Sequence, residues 1–456
     1  MFNLLANSGT LGYGVKTIAD INLNWIGQLI RILIEGIGIV GVGIIVFTLI
    51  LKTIVLPLDI YSRINGKKQA LIMERMRPQM EKLQKQYAND KNMYQQKVVE
   101  LQKKSGYSMI GACLPMIVSL LIFIIVFQAF STYSQYANLK NYNDMVNIYN
   151  GVVQTYVIDG ETPNENGFLY VVKDGDEVVD YSVDYAKFTA YYNADMGQKQ
   201  SDWVIKNEEE VFLHLAGKYK ETHTGYDGAF DANVVNLTDG NGLTTTAVGV
   251  RNTLVSYYLE APAAQEVKLF YEGKNDKYAK SHNNSFLWVG NLWYPDSTLN
   301  KEMPDFSKFK STISKAGIGD DYAESYNKVT AALTEQKNQY NGYFVLIILS
   351  IGLMLLQQWL SMRANKSVND LSTVDGSGAR SNKMMMIMMP LIYGAFSFFY
   401  SASFSLYMIT NTLYGLITML IINKCVDVWF KKKEANGELD MYLSKKNRKV
   451  KANKRK

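Results

Sequence analysis

The sequence predicts a polytopic α-helical membrane protein: a five-helix core with a cytoplasmic helical hairpin, plus an extracytoplasmic α+β domain. Apolar stretches predict the core, because about 20 apolar residues at roughly 1.5 Å each cross the hydrocarbon layer of a bilayer. The distribution of charge predicts the orientation of the spans. A polar segment of some 200 residues is long enough to have its own core, and it predicts the separate domain.

The predicted spans are 37–58, 110–130, 343–361, 384–401 and 404–422. The first span contains one charged side chain, Lys52, and the other four contain none. Buried core helices of a soluble protein are the alternative. Runs of this length, repeated along one chain, favour membrane spans.

Basic loops remain in the cytoplasm. Residues 62–105 contain eleven basic and four acidic side chains, and residues 424–456 contain twelve and four. Residues 131–341, in contrast, contain 18 basic and 29 acidic side chains. The N-terminus is therefore expected outside and the C-terminus inside. The cytoplasmic parts are then the hairpin at 59–109, the loop at 362–383 and the tail at 423–456, and the outer parts are 1–36 and 131–341.

Two amphipathic segments flank the first span. Asn24–Glu35 predicts a short helix at the outer interface, where Trp25 suits the headgroup region. After the span, Ile64–Tyr87 has apolar residues at helical spacing, and a turn at Ala88–Asp90 leads to a second helix at Met93–Lys104. We expect a basic helical hairpin, for which a solvated charged loop is the alternative. Its candidate contact residues are Arg75, Arg77, Pro78 and Lys82.

The outer segment has mixed patterns and no known ligand. Short alternating runs predict strands at Phe168–Val172, Glu177–Tyr181 and Val267–Tyr271. Asp321–Tyr340 predicts a helix that runs into the third span. The segment has no cysteine, so a disulfide-stabilised domain is excluded.

No pattern typical of an enzyme is present. The three histidines, His214, His223 and His282, lack metal-ligand spacing, and no nucleophile elbow, zinc-protease or phosphate-loop motif occurs. We expect no catalytic residue, no metal and no cofactor.

Lys52 is the first candidate functional residue. It lies about six residues from the cytoplasmic end of its span, roughly 9 Å along a helix, so its side chain could simply extend to the interface. It shares one helix face with Gly41 and Thr48, however, at steps of seven and four residues. A polar face around one basic residue indicates function.

Three other spans carry polar stripes at helical spacing. Such stripes either join helices or line a wet cavity, and spacing alone does not say whether they converge. With the first span, they supply the candidate groove residues Lys52, Thr48, Gln357, Tyr393, Ser397, Tyr407 and Asn411.

Methionines cluster at the cytoplasmic end of the fourth span. Methionine adapts to varied apolar partners, which suggests contact with client segments, although simple hydrophobic filling is the alternative. The candidates are Met384, Met385, Met388 and Met389.

Several motifs in order resemble the YidC-type membrane protein insertases. They are Leu51–Leu58 in the first span, Arg77–Leu83 in the basic helix, Gly111–Pro115 in the second span, Phe286–Trp288 ahead of the third and Phe404–Tyr407 in the fifth. The resemblance covers about 25–135 and 340–425.

The resemblance implies a five-helix insertase core in a bacterial plasma membrane. Its hydrophilic groove, with Lys52 as the groove cation, is open to the cytoplasm and to lipid. The implied partners are nascent membrane proteins and the bilayer, with the ribosome approached by the basic tail. The implied protein acts alone or with the Sec translocon.

The chain departs from the family at several positions. Lys52 stands where the family usually has arginine, and Met408 stands where an aromatic residue is common. The large outer domain is also placed unusually. Two other functions stay open at this point: an outer binding or sensing domain that a helical bundle merely anchors, and a transporter. A transporter is expected to show inverted repeats or several intramembrane charges, and the sequence shows neither.

Overall fold

The computed structural model describes residues 13–105, 109–158, 167–174, 177–184, 187–188, 190, 259–273, 284–364, 384, 388, 390–392, 394–440 and 442–443. It divides into two compact units. The helical unit contains Leu23–Ser134, Asn284–Asn300 and Tyr340–Lys456. The insertion unit contains Met1–Asn22, Gln135–Asn283 and Lys301–Gln339.

The helical unit begins with two helices joined by a tight turn. Helix α1 is Trp25–Ile37, and the Asn24 side chain caps it by accepting a hydrogen bond from the Gly27 N–H at 2.8 Å. Gly38 ends it in the left-handed conformation, with φ of 78°, which favours glycine. Helix α2, Val40–Gln86, continues without a break through the predicted first span and the first hairpin helix.

The hairpin turns after Gln86, and helix α3, Lys91–Ser105, follows. Apolar side chains of α2 pack against the helix Ala402–Ala435 and against the segment after it. Leu439 and Leu443 of that segment are buried in this cluster. The members from the two long helices are Ile72, Met73, Met76, Met80, Ile422, Val426 and Phe430. The segment that contains Leu439 and Leu443, which we call the C-terminal segment, therefore shares one apolar core with the hairpin.

Four more helices complete the helical unit. They are α4 (Met109–Gln154, of which residues to Ser134 belong to this unit), α9 (Val345–Ala364), α10 (Pro390–Phe399) and α11 (Ala402–Ala435). Within this unit α11 packs against both α2 and α9. The labels α5 to α8 are used for the insertion unit.

Among the residues that the structure describes, four helices are long and apolar enough to cross a membrane by length and composition: Val40–Gln86, Leu120–Gln154, Val345–Arg363 and Ala402–Ala435. The predicted fourth span, 384–401, is described only in part, as the shorter apolar helix α10 with Met384 and Met388. Helix α4 continues to Gln154, beyond the predicted second span at 110–130.

The insertion unit contains a small sheet and four short helices among the described residues. Strand β1 (Val157–Ile158) pairs in parallel with β2 (Leu169–Asp174), which pairs antiparallel with β3 (Glu177–Val183). Two of the predicted strands therefore form. The helices are α5 (Ala261–Glu272), α6 (Phe306–Thr312), α7 (Ala323–Val329) and α8 (Thr334–Asn338).

Two sequence predictions in this unit are wrong. Val267–Tyr271 is not a strand but part of α5, whose buried residues Ala263, Val267 and Phe270 follow helical spacing. Five residues were too few to separate the two periods. The described residues are mainly helical, so they do not support an α+β domain over all of 131–341.

The predicted helix Asp321–Tyr340 is also wrong as a single element. It divides into α7 and α8, because the Thr330 hydroxyl donates back to the Tyr326 carbonyl at 2.6 Å and the chain turns there. It does not run into α9, since Asn341 forms hydrogen bonds with a different loop.

That loop is Asn284–Asn300, which we call the capping loop. The fully buried Asn341 side chain donates to the carbonyls of Asn291, Tyr294 and Pro295 at 2.9, 3.1 and 2.9 Å and accepts from the Asn291 N–H at 2.7 Å. The buried Asp296 carboxylate accepts from the N–H groups of Tyr343 and Leu346, at 2.8 and 2.6 Å. Leu346 is in the first turn of α9 and Tyr343 lies just before it, so Asp296 caps that helix.

Asn341→Ala should lower the free energy of unfolding by roughly 2–3 kcal/mol, because it leaves buried loop groups without partners. The measurement is the denaturation midpoint of the purified chain in detergent. Asn338→Ala is the matched control, since Asn338 is exposed and donates only within its own short helix. Equal midpoints for the two variants would contradict this description of the loop.

Candidate functional site

The capping loop covers one end of the helical unit, which we call the capped end. Phe286 packs on Gly41 of α2 so closely that a Cβ there would collide with its ring. The Ser134 hydroxyl of α4 donates to the Trp293 carbonyl at 3.2 Å. The first amides of α11, Ala402 and Ser403, donate to the Tyr294 and Leu292 carbonyls at 2.9 and 2.8 Å. The loop therefore contacts α2, α4, α9 and α11 at the same end.

A layer of aromatic rings lies next to this end. Phe130 of α4 contacts Phe47 of α2 and Tyr407 of α11, with ring centroids 5.6 and 5.2 Å apart. Phe127 packs edge-on against Phe396 of α10 and Phe404 of α11, at 5.3 and 5.2 Å. Edge-on contacts of this kind pack aromatic side chains closely. This aromatic layer joins four helices.

Burial along α2 changes abruptly below the aromatic layer. Ile44, Phe47 and Thr48 are fully buried. Lys52, one turn further, is half-buried, and Ile54 is 68% exposed. The helix thus passes from a close-packed region to an open one within two turns.

The same change occurs on α11. Every residue from Ala402 to Ile409 is buried, whereas further along only one face of α11 remains buried. On α9 the buried residues Leu346, Ile347, Ser350 and Met354 lie on one face, and exposed residues occur along the rest of the helix. The helical unit is therefore closed at its capped end and open at the other, which we call the open end.

Lys52 lies at the boundary between these regions. Its side chain forms no hydrogen bond or ion pair with any residue that the structure describes. Phe47 of α2 and Tyr407 of α11 both contact Phe130, and Lys67 of α2 pairs with Asp427 of α11 at 2.8 Å. The two helices therefore run in the same direction, and on this register Lys52 falls at about the level of Thr412.

Gln357 of α9 packs against α11. Its Nε2 would lie 2.7 Å from a Cβ on Gly415, so the amide rests directly on that glycine. Asn411 is one turn away on the same face and is half-buried. On this register we expect Lys52, Gln357 and Asn411 to lie within about one helical turn of one another, below the aromatic layer, and we call these three residues the polar level.

The remaining candidate groove residues lie elsewhere. Thr48 is fully buried, and its hydroxyl donates to the Ile44 carbonyl at 2.7 Å. Tyr407 is part of the aromatic layer. Ser397 is fully buried, and its hydroxyl has no hydrogen-bond partner within the described ranges. Tyr393 lies outside the described residues.

The methionine cluster is described at two positions. Met384 and Met388 are exposed, at 67% and 45%, while Met385 and Met389 lie outside the described residues. Among the hairpin candidates, Arg75 forms a 2.6 Å ion pair with Asp440 of the C-terminal segment.

The other hairpin candidates are exposed. Arg77 pairs with Glu81 one turn away at 3.0 Å, and Pro78 and Lys82 are on the helix surface. Among the described residues, no group of three or more His, Cys, Asp or Glu side chains could hold a metal ion.

Sequence reasoning missed the residues that close the capped end. Asp296 and Asn341 are ordinary polar residues of a loop, and nothing in the pattern indicates that they are buried. Gly41 belongs to the polar face of the first span, and Phe286 belongs to the motif ahead of the third span. Their contact was not predictable, because it joins positions 245 residues apart.

The long apolar helices and the closed, aromatic-rich end define a multi-pass helical membrane protein. Residues 32–157 and 268–431 match the family described as 60Kd inner membrane protein. This is more than half of the chain, and the chain belongs to that family.

Two curated relatives carry the description "Membrane protein insertase YidC". The protein from Leptospira interrogans is 42% identical over 59 residues, which are 13% of this chain and 9% of the relative. The protein from Fusobacterium nucleatum is 36% identical over 76 residues, 17% of this chain and 35% of the relative. The matches thus span a minor part of each relative. No solved structure matches the chain.

Ser397→Ala should raise the free energy of unfolding by about 1 kcal/mol, because it removes a buried hydroxyl without a partner. Ser350→Ala is the matched control. Ser350 is equally buried, but its hydroxyl donates to the Ile347 carbonyl at 2.8 Å, so its loss should be neutral or destabilising. Denaturation midpoints in detergent measure both. A loss of stability with Ser397→Ala would show that the hydroxyl is bonded.

Proposed function

We propose that this protein is a membrane protein insertase. In this proposal the capped end faces the outside, and the open end faces the cytoplasm. The charge distribution supports this orientation, because the hairpin at the open end carries eleven basic and four acidic side chains. Membership of the family and the names of the relatives support the insertase activity.

One observation carries the proposal: the helical unit is closed at one end and open at the other, with Lys52 at the boundary. Moving the polar end of a client across about 30 Å of hydrocarbon is costly. A water-filled recess that reaches Lys52 reduces the hydrocarbon that the polar end of the client must cross to the thickness of the aromatic layer. The closed end prevents this recess from becoming a pore.

In this mechanism the polar level receives the hydrophilic end of the client. The Lys52 ammonium attracts acidic side chains most strongly where water is scarce. Gln357 and Asn411 offer amides that donate and accept hydrogen bonds. The apolar helix of the client then leaves sideways into lipid, past exposed apolar residues that include Met384 and Met388.

The hairpin and the basic tail provide cytoplasmic contacts in the same proposal. The C-terminal segment packs on the hairpin through Leu439 and Leu443, so the basic tail that follows starts beside a basic surface. Attraction to RNA phosphate would bring ribosomes that carry clients to this end. Cooperation with the Sec translocon is a further part of the proposal.

The test is reconstitution of the purified chain into liposomes with a single-span client that has an acidic outer tail. We expect insertion above that of protein-free vesicles. Lys52→Leu should reduce insertion of the acidic client about tenfold, which corresponds to roughly 1.4 kcal/mol, and Lys52→Arg should retain it. A client with a neutral tail should be affected much less.

Asn338→Ala serves as the control for handling of the variants, because Asn338 is exposed in the insertion unit. Insertion no higher than in protein-free vesicles would refute the proposed function. An equal loss for acidic and neutral clients would refute the electrostatic role of Lys52 alone.

A further inference from the structure

A narrow apolar cleft lies between α2 and α11 at the open end. Leu56, Ile60 and Ile64 line one side, at steps of four residues. Ile421, Cys425 and Trp429 line the other side. The cleft has a volume of about 520 Å³, which is within the roughly 300–1,000 Å³ of small-molecule sites.

The shape of the cleft limits its occupant. It extends from Thr418 to Trp429, which is roughly 16 Å at 1.5 Å rise per residue. An extended hydrocarbon chain matches this length and the apolar side chains along both walls.

Charge at the mouth of the cleft favours an anionic headgroup. Between positions 59 and 68, α2 carries three basic side chains and one acidic side chain. Between positions 421 and 433, α11 carries four basic side chains and one acidic side chain. Arg63 is next to the cleft on α2, and Lys424 is exposed beside Cys425. Trp429, at the end of the cleft, is of the type that prefers the headgroup region.

We propose that the cleft is a binding site for one acyl chain of an anionic phospholipid of the cytoplasmic leaflet. The headgroup phosphate lies at the level of Arg63 and Lys424. The proposal depends on α2 and α11 crossing the membrane, not on insertase activity.

The site has a consequence for the hairpin. Ile422 and Val426 line the cleft and also belong to the apolar cluster that holds Leu439 and Leu443. An acyl chain in the cleft packs against Ile422 and Val426 on the face opposite Leu439 and Leu443. The bound lipid thus stabilises the packing of the C-terminal segment on the hairpin.

The experiment measures phospholipid retained by the full-length protein. The purified chain is stripped with detergent, mixed with equal amounts of phosphatidylglycerol and phosphatidylcholine, and repurified for lipid analysis by mass spectrometry. We expect phosphatidylglycerol to be enriched at least threefold. Ile60→Trp, which fills the cleft, should abolish this retention. Ile54→Trp, on an exposed part of the same helix, should not.

A charge variant tests the headgroup. Arg63→Gln combined with Lys424→Gln should return the retained lipid to the composition of the mixture, whereas Lys103→Gln on α3 should leave the enrichment unchanged. Equal retention of the two lipids by the wild-type chain would overturn the proposal. So would retention by Ile60→Trp equal to that of Ile54→Trp.

Cys425 gives a second readout in a Cys113→Ser background. Its reaction with a maleimide should slow at least threefold when phosphatidylglycerol is added, but not with phosphatidylcholine. Protection of the thiol by a single-span client peptide, with none by phosphatidylglycerol, would show that the cleft binds clients and would overturn the proposal.

Discussion

The buried hydrogen bonds of Asn341 and Asp296 hold the capping loop in place, and the asymmetry of the helical unit depends on them. Buried polar groups stabilise a structure only when all are satisfied. Here one asparagine serves three carbonyls and one amide, and one aspartate caps α9. Four backbone groups of the loop therefore have hydrogen-bond partners although the loop is packed against the ends of four helices.

The aromatic layer extends this closure into the bundle. Rings of α2, α4, α10 and α11 fill the space that polar stripes would otherwise leave to water. The polar level of Lys52, Gln357 and Asn411 begins where the rings end. Because a membrane interior has no water to satisfy polar groups, a half-open cavity is the arrangement in which such residues are tolerated. This arrangement gives the proposed insertase function its physical basis.

Much of the helical unit could be predicted from the sequence. Local signals, such as the Asn24 cap, the helical stripe after Ile64 and the long apolar runs, correspond to α1, α2, α4, α9 and α11. These signals work because they depend on neighbours three or four residues away. The spans, the turn of the helical hairpin and the strands β2 and β3 are all predicted from such local signals.

The errors concern long-range packing. The sequence could not show that Thr48 is fully buried, or that Gln357 rests on Gly415, because facing helices determine both. Helical spacing places Thr48 and Lys52 on one face of α2. Thr48 nevertheless lies in the closed region, whereas Lys52, one turn further, lies at its boundary. The contacts of the capping loop with the helix ends could not be predicted for the same reason: its partners are distant in sequence.

The central claim is that the boundary between the closed and open regions lies between Thr48 and Lys52. It is tested most directly with single cysteines at these two positions, in a background without Cys113 and Cys425, and a membrane-impermeant maleimide applied to either face of sealed vesicles. Lys52→Cys should react from the face that carries the hairpin, and Thr48→Cys should react from neither face. Equal reaction at both positions, or reaction of Lys52→Cys from the opposite face, would contradict the account.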